Sequence, residues 1–253
     1  MRIKSLLLAL MCLFAASCAE AQGVKRCEVE VVGEYWHDTQ AYTQGLFFHG
    51  ATLFETTGLN GKSSLRKVDL ETGKVLDSKK IGKKYFAEGS CVLGDKLYVL
   101  TWQNQVVFVY DAESLEYQMS YSYAREGWGL TTDGKQLIAS DGSARLSFLT
   151  PELQPVRSVV VTMNGRPMRY LNELEWVNGK IWANVYTTDI ILIINPSDGR
   201  VEATIDCAGL LPDGLRTRDT DVLNGIAVDS AGRIFLTGKN WPRLYEVRLV
   251  EQK

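Results

Sequence analysis

Short segments that combine carboxyl, amide, lysine or tryptophan side chains with glycine recur along this chain. They are AYTQGL from Ala41, FAEGS from Phe86, LTWQNQ from Leu100, EGWGLT from Glu126, LNELEW from Leu171, IWANVY from Ile181, LNGIA from Leu223 and TGKNWP from Thr237. A carboxyl group in a partly apolar pocket can accept a proton and then return it. An ammonium or amide group can stabilise negative charge that develops on a carbonyl oxygen. These residue types suit acid–base chemistry at a carbonyl, provided that the fold brings them together.

The elements that must position these segments are β-strands. Helical periodicity is nearly absent, and short runs of β-branched and aromatic residues recur between turn residues. The clearest runs span residues 96–101, 106–110, 136–140, 180–185, 190–195 and 233–237. The sequence therefore predicts an all-β chain.

A hairpin pattern repeats along the chain, with a strand that ends in Asp, Thr or Asn, a small turn, and a second, more polar strand. It begins at VDLETGKVLD, VYDAESLEYQ, FLTPELQPVR and INPSDGRVEA, where Asp69, Asp111, Thr150 and Asn195 occupy equivalent positions. These positions are roughly 40 to 45 residues apart, a spacing typical of propeller blades built from four antiparallel strands. In a propeller, strand ends from successive blades converge around the central axis, so the segments above can share one pocket.

The repeat length also predicts the number of blades. Residues 22–253, divided by about 45 residues per blade, give about five blades in a single domain. The C-terminal strand Arg243–Leu249 and the N-terminal strand Glu28–Tyr35 each lack a local partner. Their pairing would close the ring and remove two exposed sheet edges. We therefore expect a five-bladed β-propeller closed by the terminal strands.

The N-terminus has the pattern of an export signal. Arg2 and Lys4 precede the apolar run from Leu6 to Ala16, which is too short to span a bilayer comfortably. Two processing sites compete: cleavage after residue 21 would remove 1–21 and expose Gln22, whereas lipobox processing would remove 1–17 and leave a lipidated Cys18. Either route predicts an exported, periplasmic protein that is soluble or held by an N-terminal lipid.

Charge and cysteine content narrow the partners further. The 28 Lys and Arg residues nearly balance the 30 Asp and Glu residues, so charge does not indicate nucleic-acid binding. Cys27, Cys91 and Cys207 remain in the mature chain, and since their number is odd, at least one thiol must be free. Their pairing is left open, and a monomer is the default expectation.

A catalytic metal ion is not expected. His37 and His49 are the only histidines, and neither has paired ligand spacing. The stretch Asp219–Gly225 has some resemblance to a calcium loop but lacks the acidic residue at its fifth position and the bidentate glutamate. The sequence thus predicts no cofactor, while a structural cation stays open.

The combination of YTQG, EG, TW, EGWGLT, LNELE, WANV, LNGIA and TGKNWP, from about Gly33 to about Val247, resembles the plant and bacterial glutaminyl cyclase family. These glutamine cyclotransferases are five-bladed propellers. The resemblance implies an enzyme that converts the N-terminal glutamine of peptides and proteins to pyroglutamate and releases ammonia without a metal ion.

The resemblance also implies roles for individual residues. Glu88, in the EG motif, would carry a proton from the attacking amine to the departing ammonia. Lys239 and Asn172 would polarise the γ-carbonyl oxygen of the substrate or anchor its carboxamide.

Further family-matching residues would bind the substrate. They are Tyr42, Gln44, Trp102, Trp128, Glu173 and Trp182. The tryptophans would wall the pocket, although blade packing is an equal alternative for Trp102. Glu173 would bind the free amine or form a salt bridge. Tyr42 stands where many relatives have phenylalanine, so it preserves the ring and adds a hydroxyl.

Two other functions are compatible with the same fold. One is a non-catalytic exported propeller that binds peptide N-termini, and the other is a metal-dependent propeller lactonase, which needs acidic and amide metal ligands around the axis. If cleavage exposes Gln22, the mature N-terminus would itself be a substrate for cyclisation.

Overall fold

A computed structural model describes residues 23–252 of the chain. The expected export signal, the lipidated Cys18 and the exposed Gln22 all lie outside the described residues. Within them, no helix is both long and apolar enough to cross a bilayer.

The described residues form 22 strands and one short 3-10 helix. The chain begins with β1 (Lys25–Trp36), β2 (Thr43–His49), β3 (Thr52–Thr57), β4 (Ser64–Val68), β5 (Val75–Lys80), β6 (Ala87–Leu93), β7 (Lys96–Thr101), β8 (Val106–Asp111) and β9 (Tyr117–Ser122). It continues with β10 (Leu130–Thr132), β11 (Leu137–Ser140), β12 (Arg145–Leu149), β13 (Pro155–Val160), β14 (Thr162–Met163), β15 (Arg166–Pro167), β16 (Leu171–Val177), β17 (Lys180–Val185), β18 (Ile190–Ile194) and β19 (Val201–Asp206). After the 3-10 helix (Asp213–Leu215) come β20 (Leu223–Val228), β21 (Ile234–Gly238) and β22 (Arg243–Glu251).

These strands form a propeller-like set of mainly antiparallel sheets. Sheet 1 contains β2–β5, sheet 2 contains β6–β9 and sheet 3 contains β10–β13, each in sequence order. The strands β16 to β19, β1, β22, β21 and β20 form an eight-stranded sheet in that order, and β14 and β15 form a small hairpin. The expectation of an all-β fold is confirmed.

Burial decreases outward across each four-stranded sheet. The first two strands of sheet 2 are almost entirely buried, whereas five of the six residues of its outer strand β9 are exposed. Strands β5 and β13 are similarly exposed. A strand covered on both faces has a nearly continuous apolar sequence, and a solvated outer strand does not. This gradient explains why the sequence shows an apolar strand followed by a polar one in each repeat.

The hydrophobic core lies between neighbouring sheets. Phe47, Phe54 and Leu65 of sheet 1 pack against Leu97 and Val99 of sheet 2. Equivalent clusters join sheet 2 to sheet 3, sheet 3 to the β16–β19 strands, and those strands to β20–β22. A further cluster places Leu46 and Leu53 of sheet 1 against residues of β20, β21 and β22. The series of clusters therefore starts and ends at sheet 1.

The terminal strands are paired as the sequence predicts. Strand β1 is antiparallel to β22 from Trp36 opposite Arg243 to Cys27 opposite Glu251, with a register shift between Val31 and Gly33. The first residues of β1 also pair in parallel with β19, which joins the two halves of the eight-stranded sheet. Both edges of β1 are thereby hydrogen-bonded along at least part of their length.

The three cysteines of the described residues are free thiols. Cys91 and Cys207 are buried, and Cys27 is partly buried beside the cluster that contains Cys207. Burial is the main reason that the pKa of each thiol is raised. They serve as small apolar side chains in the core.

Candidate active site

A cavity of about 250 Å³ opens where the inner strands of the sheets converge. Its lining consists of Tyr42, Gln44, Phe86, Glu88, Trp102, Trp128, Asn172, Tyr186 and Lys239. Seven of these residues are candidates from the sequence, namely Tyr42, Gln44, Glu88, Trp102, Trp128, Asn172 and Lys239. Seven of the eight segments described above, all but LNGIA, therefore contribute to this one cavity.

A repeated β-bulge aims the polar side chains into this cavity. The inner strand of four blade-like units loses its register against the next strand between Thr43 and Gly45, Ala87 and Ser90, Leu171 and Leu174, and Leu223 and Ile226. Residues in a bulge leave the regular alternation and can be redirected. Gln44, Glu88 and Asn172 all occupy such positions, so one backbone device recurs at three polar residues of the pocket.

Glycines allow the inner strands to approach one another at the bulges. A Cβ atom on Gly89 would lie 2.4 Å from the Leu130 nitrogen, and one on Gly129 would lie 2.0 Å from the Asn172 carbonyl oxygen. Such contacts are far inside van der Waals distance, so only glycine fits. The Ser140 hydroxyl reinforces this junction, since it accepts from Gly129 N at 2.7 Å and donates to Asn172 O at 2.7 Å.

Glu88 is the buried carboxyl of the cavity, with 5% of its surface exposed. Burial raises its pKa well above the usual range, and the negative charge of Glu126 adds to that effect. The ammonium of Lys239 and a hydrogen bond with Gln44 act in the opposite direction. A carboxyl with a raised pKa can hold a proton at a pH where an ordinary glutamate is ionised, as a general acid requires.

Lys239 reaches the cavity from the turn that follows β21. Its backbone nitrogen donates to Val222 O and its carbonyl accepts from Asp221 N, both at 2.9 Å. The ammonium lies 4.8 Å from the ring centre of Tyr42 and 4.9 Å from that of Tyr186, within cation–π distance. Burial lowers its pKa, and the negative charges of Glu88 and Asp221 oppose that change.

A buried histidine network holds the turn that carries Lys239. His37 Nδ1 lies 2.7 Å from Trp241 O, and His37 Nε2 lies 2.9 Å from a carboxylate oxygen of Glu55. Burial alone would lower the pKa of His37, but the charge and hydrogen bond of Glu55 outweigh it and the pKa is raised. Both ring nitrogens face acceptors, so the imidazolium form satisfies both. Asn240 N donates to Ala41 O at 2.8 Å, which ties the same turn to sheet 1.

Asn172 presents an unused acceptor to the cavity. The residue is 3% exposed, and its Oδ1 atom is buried without a hydrogen-bond partner. An unpaired buried polar atom is costly, so each one in a folded protein needs an explanation, such as a ligand that would pair it. The position of Asn172 in the cavity lining makes Oδ1 available to a donor on a bound molecule.

Aromatic rings form the remaining walls. Phe86 contacts Tyr42 and Trp102 edge to face, with ring centres 6.2 and 5.7 Å apart. Trp128 contacts Tyr186 in the same manner at 5.6 Å. Phe86 and Tyr186 were not among the residues predicted to bind substrate, although both lie within the segments FAEGS and IWANVY that the sequence singled out.

Two predicted binding residues lie elsewhere. Trp182 is 5% exposed and packs in the apolar cluster between β16–β19 and β20–β22, outside the cavity lining that it was expected to form. It sits within β17, whereas Tyr186, just beyond the strand end, reaches the cavity. Glu173 is also outside the cavity lining: its carboxylate accepts from Leu46 N at 3.3 Å and Ile226 N at 3.0 Å. It links sheet 1 to β20 instead of binding an amine or forming a salt bridge.

Metal-ligand geometry is not found among residues 23–252, where no three His, Cys, Asp or Glu side chains are grouped closely enough to hold an ion. In the stretch Asp219–Gly225, the carboxylate of Asp221 accepts from the Tyr42 hydroxyl at 2.9 Å and from Val222 N at 2.8 Å. Burial is the main reason that the pKa of Tyr42 is raised, and the hydrogen bond and negative charge of Asp221 raise it further. The phenol therefore keeps its proton and acts as a hydrogen-bond donor.

Comparison with known proteins fits this geometry. The family model for glutamine cyclotransferase matches residues 4–249. The chain belongs to the glutamine cyclotransferase family. A glutaminyl-peptide cyclotransferase of Arabidopsis thaliana is 47% identical over 230 residues, which cover 88% of this chain and 71% of that protein.

A solved structure agrees with the family assignment. The crystal structure of Myxococcus xanthus glutaminyl cyclase matches with a TM-score of 0.84 and 38% identity, over 91% of this chain and 100% of that one. The glutamine cyclotransferase resemblance seen in the motifs is thus confirmed across nearly the whole chain.

Proposed function

We propose that this glutamine cyclotransferase is a glutaminyl-peptide cyclotransferase, which converts the N-terminal glutamine of peptides and proteins to pyroglutamate and releases ammonia. The observation that carries this proposal is a buried carboxyl, Glu88, beside a buried ammonium, Lys239, in an aromatic cavity of about 250 Å³. Cavities for drug-sized ligands measure roughly 300–1,000 Å³. This smaller cavity suits one side chain at the end of a peptide.

The reaction begins with the neutral α-amine, whose ordinary pKa of about 7.7–8.0 leaves roughly a tenth to a fifth of it unprotonated at pH 7. Its nitrogen forms a bond to the carbon of the γ-carboxamide in the same residue, so proximity is largely supplied by the substrate. The Glu88 carboxylate accepts the proton that the attacking nitrogen loses. Protonated Glu88 then donates that proton to the carboxamide nitrogen as the carbon–nitrogen bond breaks, and ammonia leaves.

Lys239 and Asn172 supply the complementary interactions. The Lys239 ammonium stabilises the negative charge that develops on the γ-carbonyl oxygen, and burial strengthens that effect by excluding water. The free Oδ1 atom of Asn172 accepts from an N–H group of the substrate and anchors it. Gln44, which interacts with Glu88, belongs to the same polar surface.

The aromatic lining holds the glutamine side chain folded back on its own amine. Trp128 and Tyr186 form one wall, while Trp102, Phe86 and Tyr42 form the other. The rings also exclude water that would otherwise hydrolyse the carboxamide. No metal ion is assigned a part in this scheme.

We further propose that the eight-stranded sheet represents two blades joined through β19 and β1, so that the propeller has five blades. In this description the last blade contains β20, β21, β22 and the N-terminal strand β1, which supports a single domain over residues 22–253. The N-terminal sequence supports export to the periplasm, with either a free or a lipid-bearing N-terminus, and the default state is a monomer.

Incubation of the purified protein with a Gln-initiated peptide in the presence of a chelator tests the function. We expect stoichiometric release of ammonia and a matching mass loss from the peptide, and no reaction with the same peptide after N-acetylation, since the blocked amine cannot attack. Glu88→Gln should abolish turnover because it keeps the shape but removes the titrating group. Glu152→Gln, at an exposed site, is the matched control.

The outcomes separate the alternatives. Binding of the peptide without ammonia release would indicate a non-catalytic binding protein. Full activity of Glu88→Gln would show that another group carries the proton.

A further inference from the structure

Glu126 accepts three side-chain hydrogen bonds at the rim of the cavity. One carboxylate oxygen accepts from Trp102 Nε1 at 3.0 Å and from Trp128 Nε1 at 3.3 Å. The other oxygen accepts from Gln103 Nε2 at 3.1 Å. Both rim indoles of the cavity therefore point their only polar atom at the same group.

The two indoles belong to different sheets. Trp102 directly follows β7 in sheet 2, and Trp128 precedes β10 in sheet 3. Trp102 is 37% exposed, so packing alone leaves part of the ring uncovered. An indole has a single donor and no acceptor, so its orientation is fixed by whichever acceptor is placed beside it. Glu126 supplies that acceptor to both rings.

The charge of Glu126 is not neutralised by its neighbour in sequence. The guanidinium of Arg125 turns to Asp141, at 3.7 Å, and donates to the Ser147 hydroxyl at 3.2 Å. Burial would raise the pKa of Glu126, but the three hydrogen bonds outweigh it and the pKa is lowered. Glu126 is thus a carboxylate with no salt-bridge partner among residues 23–252. Its charge acts on Glu88, which is otherwise faced by the ammonium of Lys239.

We propose that Glu126 is a positioning residue that clamps the Trp102 and Trp128 indoles as opposite walls of the substrate pocket and keeps a negative charge beside the proton shuttle. The inference rests on the proposed cyclisation of N-terminal glutamine. It gives Glu126 two separable contributions, one from the length of the side chain and one from its charge.

Two substitutions separate these contributions. Glu126→Asp keeps the charge but shortens the side chain, so it cannot reach both indoles. Glu126→Gln keeps the length but loses the charge, and its single carbonyl oxygen replaces two acceptors. Glu152→Gln, whose exposed carboxylate forms no side-chain hydrogen bond in the described structure, is the control for removal of one surface charge.

The first readout does not depend on turnover. In protein labelled with ¹⁵N-tryptophan, a carboxylate acceptor shifts an indole N–H resonance downfield. Among the six tryptophans, we expect only the Trp102 and Trp128 resonances to move upfield in both Glu126 variants, with Trp102→Phe and Trp128→Phe used for assignment. Unchanged spectra would overturn the proposal even if the wild-type protein were fully active.

The second readout is the kinetics of a Gln-initiated peptide. Both variants should lose about three- to tenfold in kcat/KM, mainly through KM, as expected for the net contribution of roughly one ordinary hydrogen bond at a partly solvated rim. In Glu126→Gln the acidic limb of the pH profile should also move to lower pH, because removal of a like charge lowers the pKa of Glu88. In Glu126→Asp the limb should stay in place. Equal pH shifts in both variants, or a kcat loss without a KM change, would overturn the assignment.

Discussion

Gly129 lies where sheet 3 meets the strand that carries Asn172, and it leaves no room for a side chain. A Cβ atom at this position would lie 2.0 Å from the Asn172 carbonyl oxygen, 2.8 Å from the carbonyl carbon of the same residue and 2.9 Å from Leu174 Cγ. The obstructing atoms are mostly backbone, so no side-chain rotation relieves the overlap. Gly129→Ala should therefore separate the two strands.

The size of the effect follows from this distance. Carbon–oxygen contacts are normally about 3.3 Å or longer, so the backbone of Asn172 must move by about 1.3 Å. Overpacking of this kind costs about 1–3 kcal/mol, which lowers the melting temperature of a chain of this size by roughly 3–10 °C. A misplacement of about 1 Å in an active site reduces the rate by about 10²-fold. The catalytic loss should therefore exceed what the loss of stability alone explains.

The assay compares kcat/KM for a Gln-initiated peptide with thermal unfolding of the same preparation. Gly214→Ala is the control because a Cβ atom there would meet nothing within 4 Å. Activity is measured well below the melting temperature of Gly129→Ala, so that partial unfolding does not contribute. If Gly129→Ala stays within about twofold of the control in kcat/KM, the close approach of the strands does not set the position of Asn172.

Two further predictions concern charge. Lys239→Met should reduce kcat by about 10²-fold or more, as expected for the loss of an oxyanion donor. The acidic limb of its pH profile should move to higher pH, because the pKa of Glu88 rises when the positive neighbour is lost. A shift to lower pH would contradict this. Glu175→Gln should stabilise the protein increasingly as pH rises from about 5 to 8. Burial raises the folded-state pKa of Glu175 from 4.5 to about 8, so across this range the unfolded chain ionises while the folded chain stays protonated, and stability is lost. Melting temperatures of both proteins across this range test it, and a pH-independent difference would contradict it.

The sequence predicted the strands and the pairing of the terminal strands because each leaves a recognisable pattern in the residues. Hairpin repeats reflect the alternation of inner and outer strands, and the unpaired strands at the two ends had only each other as partners. The sequence could not predict that β1 also bridges to β19, because a parallel pairing over four residues leaves no signal of its own.

The site was predicted to the level of segments and less well to the level of residues. Within IWANVY, the alternation of side chains along a strand places residues 182 and 186 on the same side. Trp182 lies within β17 and is buried in the core, whereas Tyr186 lies just beyond the strand end and enters the cavity. Within LNELEW, the bulge directs Asn172 to the cavity and turns Glu173 toward the backbone of neighbouring strands. Bulges and strand ends are set by tertiary packing, which a single sequence does not reveal.

The joint between β1 and β22 has a consequence for the order of folding. Lys25 and Glu251, which form a side-chain hydrogen bond there, are 226 residues apart in the chain. Contacts between such distant segments form slowly, because a long stretch of polypeptide must be ordered before they gain anything. Most of β1 can therefore find its antiparallel partner only after β22 has been synthesised, and until then β21 keeps an open edge.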